Sequence, residues 1–187
     1  MGYRQDLFKP PNLVSMVRLF MAPVLLYLAL RQQPGLYLGA VCFTVFTDLA
    51  DGFLARTLHQ ITPLGSLLDS WGDFTVYFTM AVCSWILWPA TVVEHLSAWV
   101  VIVLSFTLPP LIGLIKFGSV TSYHTWSVKL AVAVTLISYV LLFADVLHWP
   151  IDVAAFFCTL AAIEEITITL LLKQKRSDVR GLWKIFK

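Results

Sequence analysis

Asp48-Leu49-Ala50-Asp51-Gly52-Phe53-Leu54-Ala55-Arg56, eight further residues, then Gly65-Ser66-Leu67-Leu68-Asp69-Ser70-Trp71-Gly72-Asp73 form the stretch that decides how this chain is read. Asp48 and Asp51 stand at i,i+3 and Asp69 and Asp73 at i,i+4, so each pair shares one helix face. The flanks are apolar, from Val41 to Phe46 before and from Phe74 to Trp88 after. Carboxylates are costly in a bilayer interior, so a cluster of them there marks a functional site. Four converging carboxylates repel one another unless positive charge lies between them, and a hard divalent cation with oxygen ligands meets that need.

The rest of the chain supports a membrane setting. Of 187 residues, 59% are hydrophobic and only 13% charged, with a mean hydropathy of +0.82. A soluble domain is about half apolar and a quarter charged. Six apolar segments are marked out at about 12–30, 36–55, 64–88, 96–117, 127–148 and 151–172. Short turn signals separate them: Gln32-Gln33-Pro34-Gly35, His59-Gln60-Ile61-Thr62-Pro63, Trp88-Pro89 and His148-Trp149-Pro150. The expected fold is an all-α integral membrane protein of six transmembrane helices, a single membrane-embedded domain over 1–187. Met1 to Lys9 is polar and the first apolar run carries Arg18, so no cleavable signal peptide is expected.

Charge placement gives an orientation. Of thirteen Lys and Arg residues, only Arg31 falls on one side of a six-span chain; the other twelve fall on the opposite side. That asymmetry predicts both termini in the cytoplasm and puts the aspartates at the cytoplasmic face of a multi-pass cell-membrane protein. The basic tail 173–187, with Trp183 and Phe186, either rests on anionic headgroups or is a positive-inside flank. The net charge of +2 carries no nucleic-acid signal. Cys42, Cys83 and Cys158 all lie in apolar runs without a CxxC or Cys/His cluster and read as small buried hydrophobes.

The site residues have a consistent chemistry. Gly52, Ala55 and Gly65 are small enough to let a helix or ligand approach closely. Arg56 stands a turn beyond Asp51, where a guanidinium can pair with a carboxylate or hold a phosphate bidentately. The combination describes a metal-and-phosphate site, and two ions about 4 Å apart are one arrangement that clamps an in-line displacement.

At every defined position the motif Asp48-x2-Asp51-Gly52-x2-Ala55-Arg56-x8-Gly65-x3-Asp69-x3-Asp73 resembles that of the CDP-alcohol phosphotransferases. The opening Pro11-Asn12-Leu13-Val14-Ser15-x2-Arg18 is also similar to the segment that starts the first span in many members. The resemblance implies a phospholipid head-group synthase, in which CDP-diacylglycerol donates a phosphatidyl group to a hydroxyl acceptor and CMP leaves. It implies that Asp48, Asp51, Asp69 and Asp73 ligate Mg2+ or Mn2+, two ions in all. Asp73 would also be the general base, and Asn12, Gly52, Ala55, Arg56 and Gly65 would border the CDP moiety. A homodimer through membrane helices is implied as well.

The acceptor is less legible. Lys116 and Lys129 lie at the cytoplasmic ends of spans four and five, where they either hold an acceptor phosphate or snorkel to the membrane surface. Glycerol 3-phosphate is the first reading. The alternatives are inositol phosphate, serine or another alcohol, or a CDP-aminoalcohol donor with diacylglycerol as acceptor. A divalent cation transporter is the reading from a different class, and it leaves the Gly, Ala and Arg positions of the motif unexplained. His124 reads as structural or solvated, Glu164 and Glu165 as structural, and Asp145 and Asp152 as loop-flanking acids at the non-cytoplasmic edge.

Overall fold

The computed structural model describes the backbone of residues 10–57, 63–118, 123, 125–172 and 181–182. Side chains are described for 16–47, 71, 72, 74–118, 123, 125–172, 181 and 182. Among these residues there are seven helices and no strand. They are α1 (Pro10–Leu30), α2 (Pro34–Thr57), α3 (Pro63–Leu87), α4 (Pro89–Glu94), α5 (Leu96–Phe117), α6 (Trp126–Phe143) and α7 (Pro150–Leu171). The six long helices coincide with the six apolar segments, and four helices after the first open on proline, whose fixed φ suits a first helical position.

Among the described residues, three helices are long and apolar enough to cross a membrane: Leu96–Phe117, Trp126–Phe143 and Pro150–Leu171. Shorter apolar stretches occupy Met16–Leu30, Pro34–Thr47 and Phe74–Leu87. Large apolar side chains point outward on every long helix, Phe20, Phe46, Phe78, Ile115, Ile137 and Phe156 among them. Water would not tolerate so much outward apolar surface, whereas lipid does. The protein is a membrane protein.

The chain divides into two compact units, Met1–Pro89 and Ala90–Lys187. In the first unit α1 packs against both α2 and α3. Each helix contributes one buried stripe at helical spacing: Arg18, Ala22, Leu25 and Ala29 from α1; Tyr37, Val41 and Thr44 from α2; Val76, Met80 and Cys83 from α3. Buried hydroxyls are satisfied by their own helices, Thr44 bonding the Ala40 carbonyl at 2.8 Å and Ser84 the Met80 carbonyl at 2.7 Å. Among the described residues, Arg18 is the one charged side chain that is buried, at 2% exposure.

In the second unit α7 packs against both α5 and α6. Its buried positions are mostly small: Ala154, Ala155, Cys158, Ala161 and Ala162. Small side chains on two faces let one helix serve two close neighbours. Trp99, Tyr139 and Phe143 form an edge-packed aromatic cluster, with Tyr139 and Phe143 ring centroids 4.7 Å apart.

Three local expectations change. The fifth segment stops as a helix at Phe143 rather than 148, because the chain turns through Ala144 and a left-handed Asp145 (φ 58°). Asp tolerates that conformation better than most residues. The short α4 opens on Pro89 and separates the third and fourth long helices along the chain. Cys83 and Cys158 are buried as expected, but Cys42 is exposed, on the outward face of α2. Of the second turn signal, His59 to Thr62 lie outside the described residues and Pro63 opens α3.

Candidate active site

The acidic motif sits on two helices of the first unit. Asp48, Asp51, Gly52, Ala55 and Arg56 lie in the second half of α2, and Gly65, Asp69 and Asp73 in the first half of α3. Asn12 lies in the first turn of α1. The side chains of all nine residues fall outside the described set, so their place rests on backbone and helical register.

That register is informative. The buried stripe of α2 runs Tyr37, Val41, Thr44, and the same alternation of four and three residues continues through 48, 51 and 55. On α3 the stripe runs back from Cys83 through Met80, Val76 and the buried Gly72, and continues at 69 and 65, with 73 on its flank. The motif positions therefore continue the helical register of the two buried stripes, with acids and small residues in the sequence there. Arg56 falls about 100° from the stripe, toward its edge.

The two helices run antiparallel. Tyr37, near the start of α2, packs edge-on against Trp88 just past the end of α3, with centroids 5.8 Å apart. The Tyr37 side chain is also hydrogen-bonded with Cys83, and the Gln32 amide donates to the Ile86 carbonyl. From that contact Asp51 lies fourteen residues further along α2, and Asp69 fourteen residues back along α3. Each acid thus stands about 21 Å of helix away from that contact.

Lys116 and Lys129, the acceptor candidates, belong to the second unit, and their side chains are described. They stand at the end of α5 and the start of α6. Lys116, in the last turn of α5, donates to the Leu170 carbonyl at 2.7 Å and lies 5.5 Å from the Phe117 ring centroid. Lys129, in the first turn of α6, lies 5.4 Å from the Trp126 ring centroid. Both ammonium groups stay exposed. Thr125 caps α6 by accepting from the Val128 N–H at 3.3 Å, and Gly118 closes α5 in a left-handed turn.

Glu164 and Glu165 organise this end, in line with the structural role expected of them. The Ser127 hydroxyl and the Leu182 N–H both donate to Glu164, the latter at 3.2 Å. The Tyr123 N–H donates to Glu165 at 3.2 Å. Adjacent acids that point in different directions thus hold the start of α6, the segment before it and the chain beyond α7. Asp152 sits in the first turn of α7, where its charge complements the helix dipole. Asp145 accepts a hydrogen bond from His148 Nε2 at 2.9 Å. His124 and most of the tail 173–187, including Trp183 and Phe186, lie outside the described residues.

Arg18 was read only as a charge in an apolar run and as part of the opening segment. Its complete burial on the stripe of α1 marks it as a member of the interior polar set. The available signal was an ionisable residue inside a membrane helix.

The profile of the CDP-alcohol phosphatidyltransferase family matches residues 8–171. The chain belongs to that family. It is 47% identical over 64 residues to a cardiolipin synthase (CMP-forming) of Rattus norvegicus, covering 34% of this chain and 21% of the relative. It is 41% identical over 63 residues to a CDP-diacylglycerol–glycerol-3-phosphate 3-phosphatidyltransferase of Aquifex aeolicus, covering 34% of this chain and 35% of the relative. A protein of the latter name from Pseudomonas fluorescens is 30% identical over 123 residues, 64% of this chain and 56% of the relative. The matched stretches thus span between about a fifth and just over half of these relatives. No solved structure matches.

Proposed function

We propose that the chain is a membrane-embedded phosphatidyltransferase that moves the phosphatidyl group of CDP-diacylglycerol to the hydroxyl of glycerol 3-phosphate and releases CMP. The observation that carries this reading is the motif itself, complete at every defined position and continuing the interior stripes of an antiparallel helix pair. The family match over 8–171 spans both units, which supports one transferase domain across the chain.

The chemistry assigns each residue a task. The acceptor oxygen attacks the phosphorus that carries the diacylglycerol, a new P–O bond forms, and the P–O bond to CMP breaks. Asp73 takes the acceptor hydroxyl proton. Arg56 holds a phosphate of the donor, for which its planar fork suits better than a point charge. Gly52, Ala55 and Gly65 leave room for the CDP moiety to approach backbone, and Asn12 contacts its cytidine end.

Four carboxylate positions, two on α2 and two on α3, form a hard oxygen donor set that fits divalent cations. Asp48, Asp51, Asp69 and Asp73 would hold two ions, Mg2+ or Mn2+, which supply neutralisation of the diphosphate charge. The site belongs at the cytoplasmic face of a six-span cell-membrane protein with both termini inside, a placement supported by the twelve-to-one distribution of Lys and Arg. The outward apolar faces of the long helices suit a homodimer in the bilayer.

A second reading has its own support. The rat relative and a human one, 44% identical over 64 residues, are both named cardiolipin synthase (CMP-forming). Cardiolipin carries two phosphatidyl groups on one glycerol, so this reading makes the acceptor hydroxyl part of a phosphatidylglycerol molecule. Lys116 and Lys129 then meet a lipid phosphodiester instead of a soluble phosphate.

Purified chain incubated with Mg2+ and CDP-diacylglycerol tests both. CMP release driven by glycerol 3-phosphate, with phosphatidylglycerophosphate as product, supports the first reading. Release driven only by phosphatidylglycerol selects the second, and no release with either acceptor contradicts both.

A further inference from the structure

The end of the second unit opposite Lys116 and Lys129 carries a separate group of side chains that the transferase reading does not use. Glu94 ends α4, His95 links α4 to α5, and His148 lies in the turn between α6 and α7. One potential ligand atom from each lies within 4.8 Å of the other two. The imidazoles of His95 and His148 face each other at 5.8 Å between centroids.

Two observations point to a ligand. The first is His95 Nε2, which is buried without a hydrogen-bond partner among the described residues. His95 is also the N-cap residue of α5, yet its side chain makes no cap bond. Leaving a buried nitrogen unsatisfied is unfavourable, and a bound cation would satisfy it. The second is the His148–Asp145 pair, with Nε2 and Oδ1 2.9 Å apart. A carboxylate only accepts, so His148 donates from Nε2 and, when neutral, carries its lone pair on Nδ1. A carboxylate behind an imidazole is the usual arrangement that orients a metal-ligating histidine.

We propose that Glu94, His95 and His148 form a binding site for a zinc-class divalent ion, with Asp145 orienting His148. Two imidazoles and a carboxylate suit a borderline transition-metal ion, whereas the all-oxygen acidic motif suits magnesium. Tetrahedral zinc holds its ligand atoms about 3.4 Å apart, so atoms already within 4.8 Å need only small side-chain shifts. The His148 side chain is 44% exposed and that of Asp145 90%, which leaves an open path and an open coordination position. The bound ion would pin the α4–α5 junction to the α6–α7 turn.

The test is a zinc titration of the purified, chelator-stripped full chain in detergent, with millimolar Mg2+ present to occupy the acidic motif. The proposal expects a single zinc ion per chain. Glu94→Gln and His148→Ala, both at exposed positions, should each weaken binding by at least about tenfold, while Asp69→Asn leaves it unchanged. Unchanged zinc affinity in either of the first two variants, loss of binding in Asp69→Asn, or no binding by the wild type would overturn it. X-ray absorption at the zinc edge of the wild-type complex gives a measurement independent of variant folding. Imidazole scattering in the first shell supports the site, and its absence overturns the assignment.

Discussion

Lys116 Nζ lies 2.7 Å from the carbonyl oxygen of Leu170, so the last turn of α5 is tied to the last turn of α7 by a cation at a helix C-terminus. That bond gives Lys116 a structural task beside any contact with an acceptor. The two tasks separate by experiment. Lys116→Met should lower stability by less than about 1 kcal/mol, the size of one exposed helix-terminus interaction. Lys116→Glu should in addition raise the KM for glycerol 3-phosphate several-fold while leaving that for CDP-diacylglycerol near wild type. An unchanged acceptor KM would limit Lys116 to its contact with α7.

Glu164 accepts from Ser127 and from the Leu182 N–H. Glu164→Ala removes the acceptor for both, and hydrogen bonds within membrane bundles are each worth about 0.6–1.7 kcal/mol. The variant should lose about 1–3 kcal/mol in a thermal or denaturant melt, with Glu164→Gln losing less because its amide oxygen still accepts. Equal losses in the two variants would show that charge, and not hydrogen bonding, holds this junction.

Thr125 is the N-cap of α6, in extended backbone, and its Oγ1 accepts from Val128. Thr125→Ser keeps the cap and should lose only the buried methyl group, about 0.8 kcal/mol, whereas Thr125→Ala loses about 1 kcal/mol more with the cap. The comparison of melting temperatures checks it.

Arg18 is buried at 2% exposure and engaged with its surroundings. Arg18→Ala removes a fully buried, engaged side chain and should cost about 2 kcal/mol or more, seen as a drop in melting temperature. Arg18→Lys should recover part of the loss, because the charge is kept while the planar fork is not. A neutral result in Arg18→Ala would mean that the guanidinium is dispensable to the first unit.

The long helices were legible because apolar runs of about 20 residues separated by Pro and Gly leave few other solutions. The motif was legible for a different reason: acids in such runs stand out, and their three- and four-residue spacing marks one face. What the sequence hid depends on contacts between distant residues. His95 and His148 are 53 positions apart and meet only because α5 and α6 both pack against α7. The end of α6 at Phe143 was hidden too, since Val146 and Leu147 prolong the apolar run while Asp145 turns the backbone. Cys42 was misread as buried because a membrane helix is apolar toward lipid and toward its neighbours alike. Composition there does not separate inside from outside.

The most direct test of the central claim is CMP formation by Asp73→Asn and wild-type chain, assayed with CDP-diacylglycerol, glycerol 3-phosphate and Mg2+. Metal-dependent binding of the donor is measured on the same samples. The account predicts that wild type releases CMP and stops when the metal is chelated. It predicts that Asp73→Asn loses turnover by at least about a hundredfold, the scale of general-base catalysis, while still binding donor. Turnover undiminished in Asp73→Asn, or CMP release that survives chelation, would contradict it.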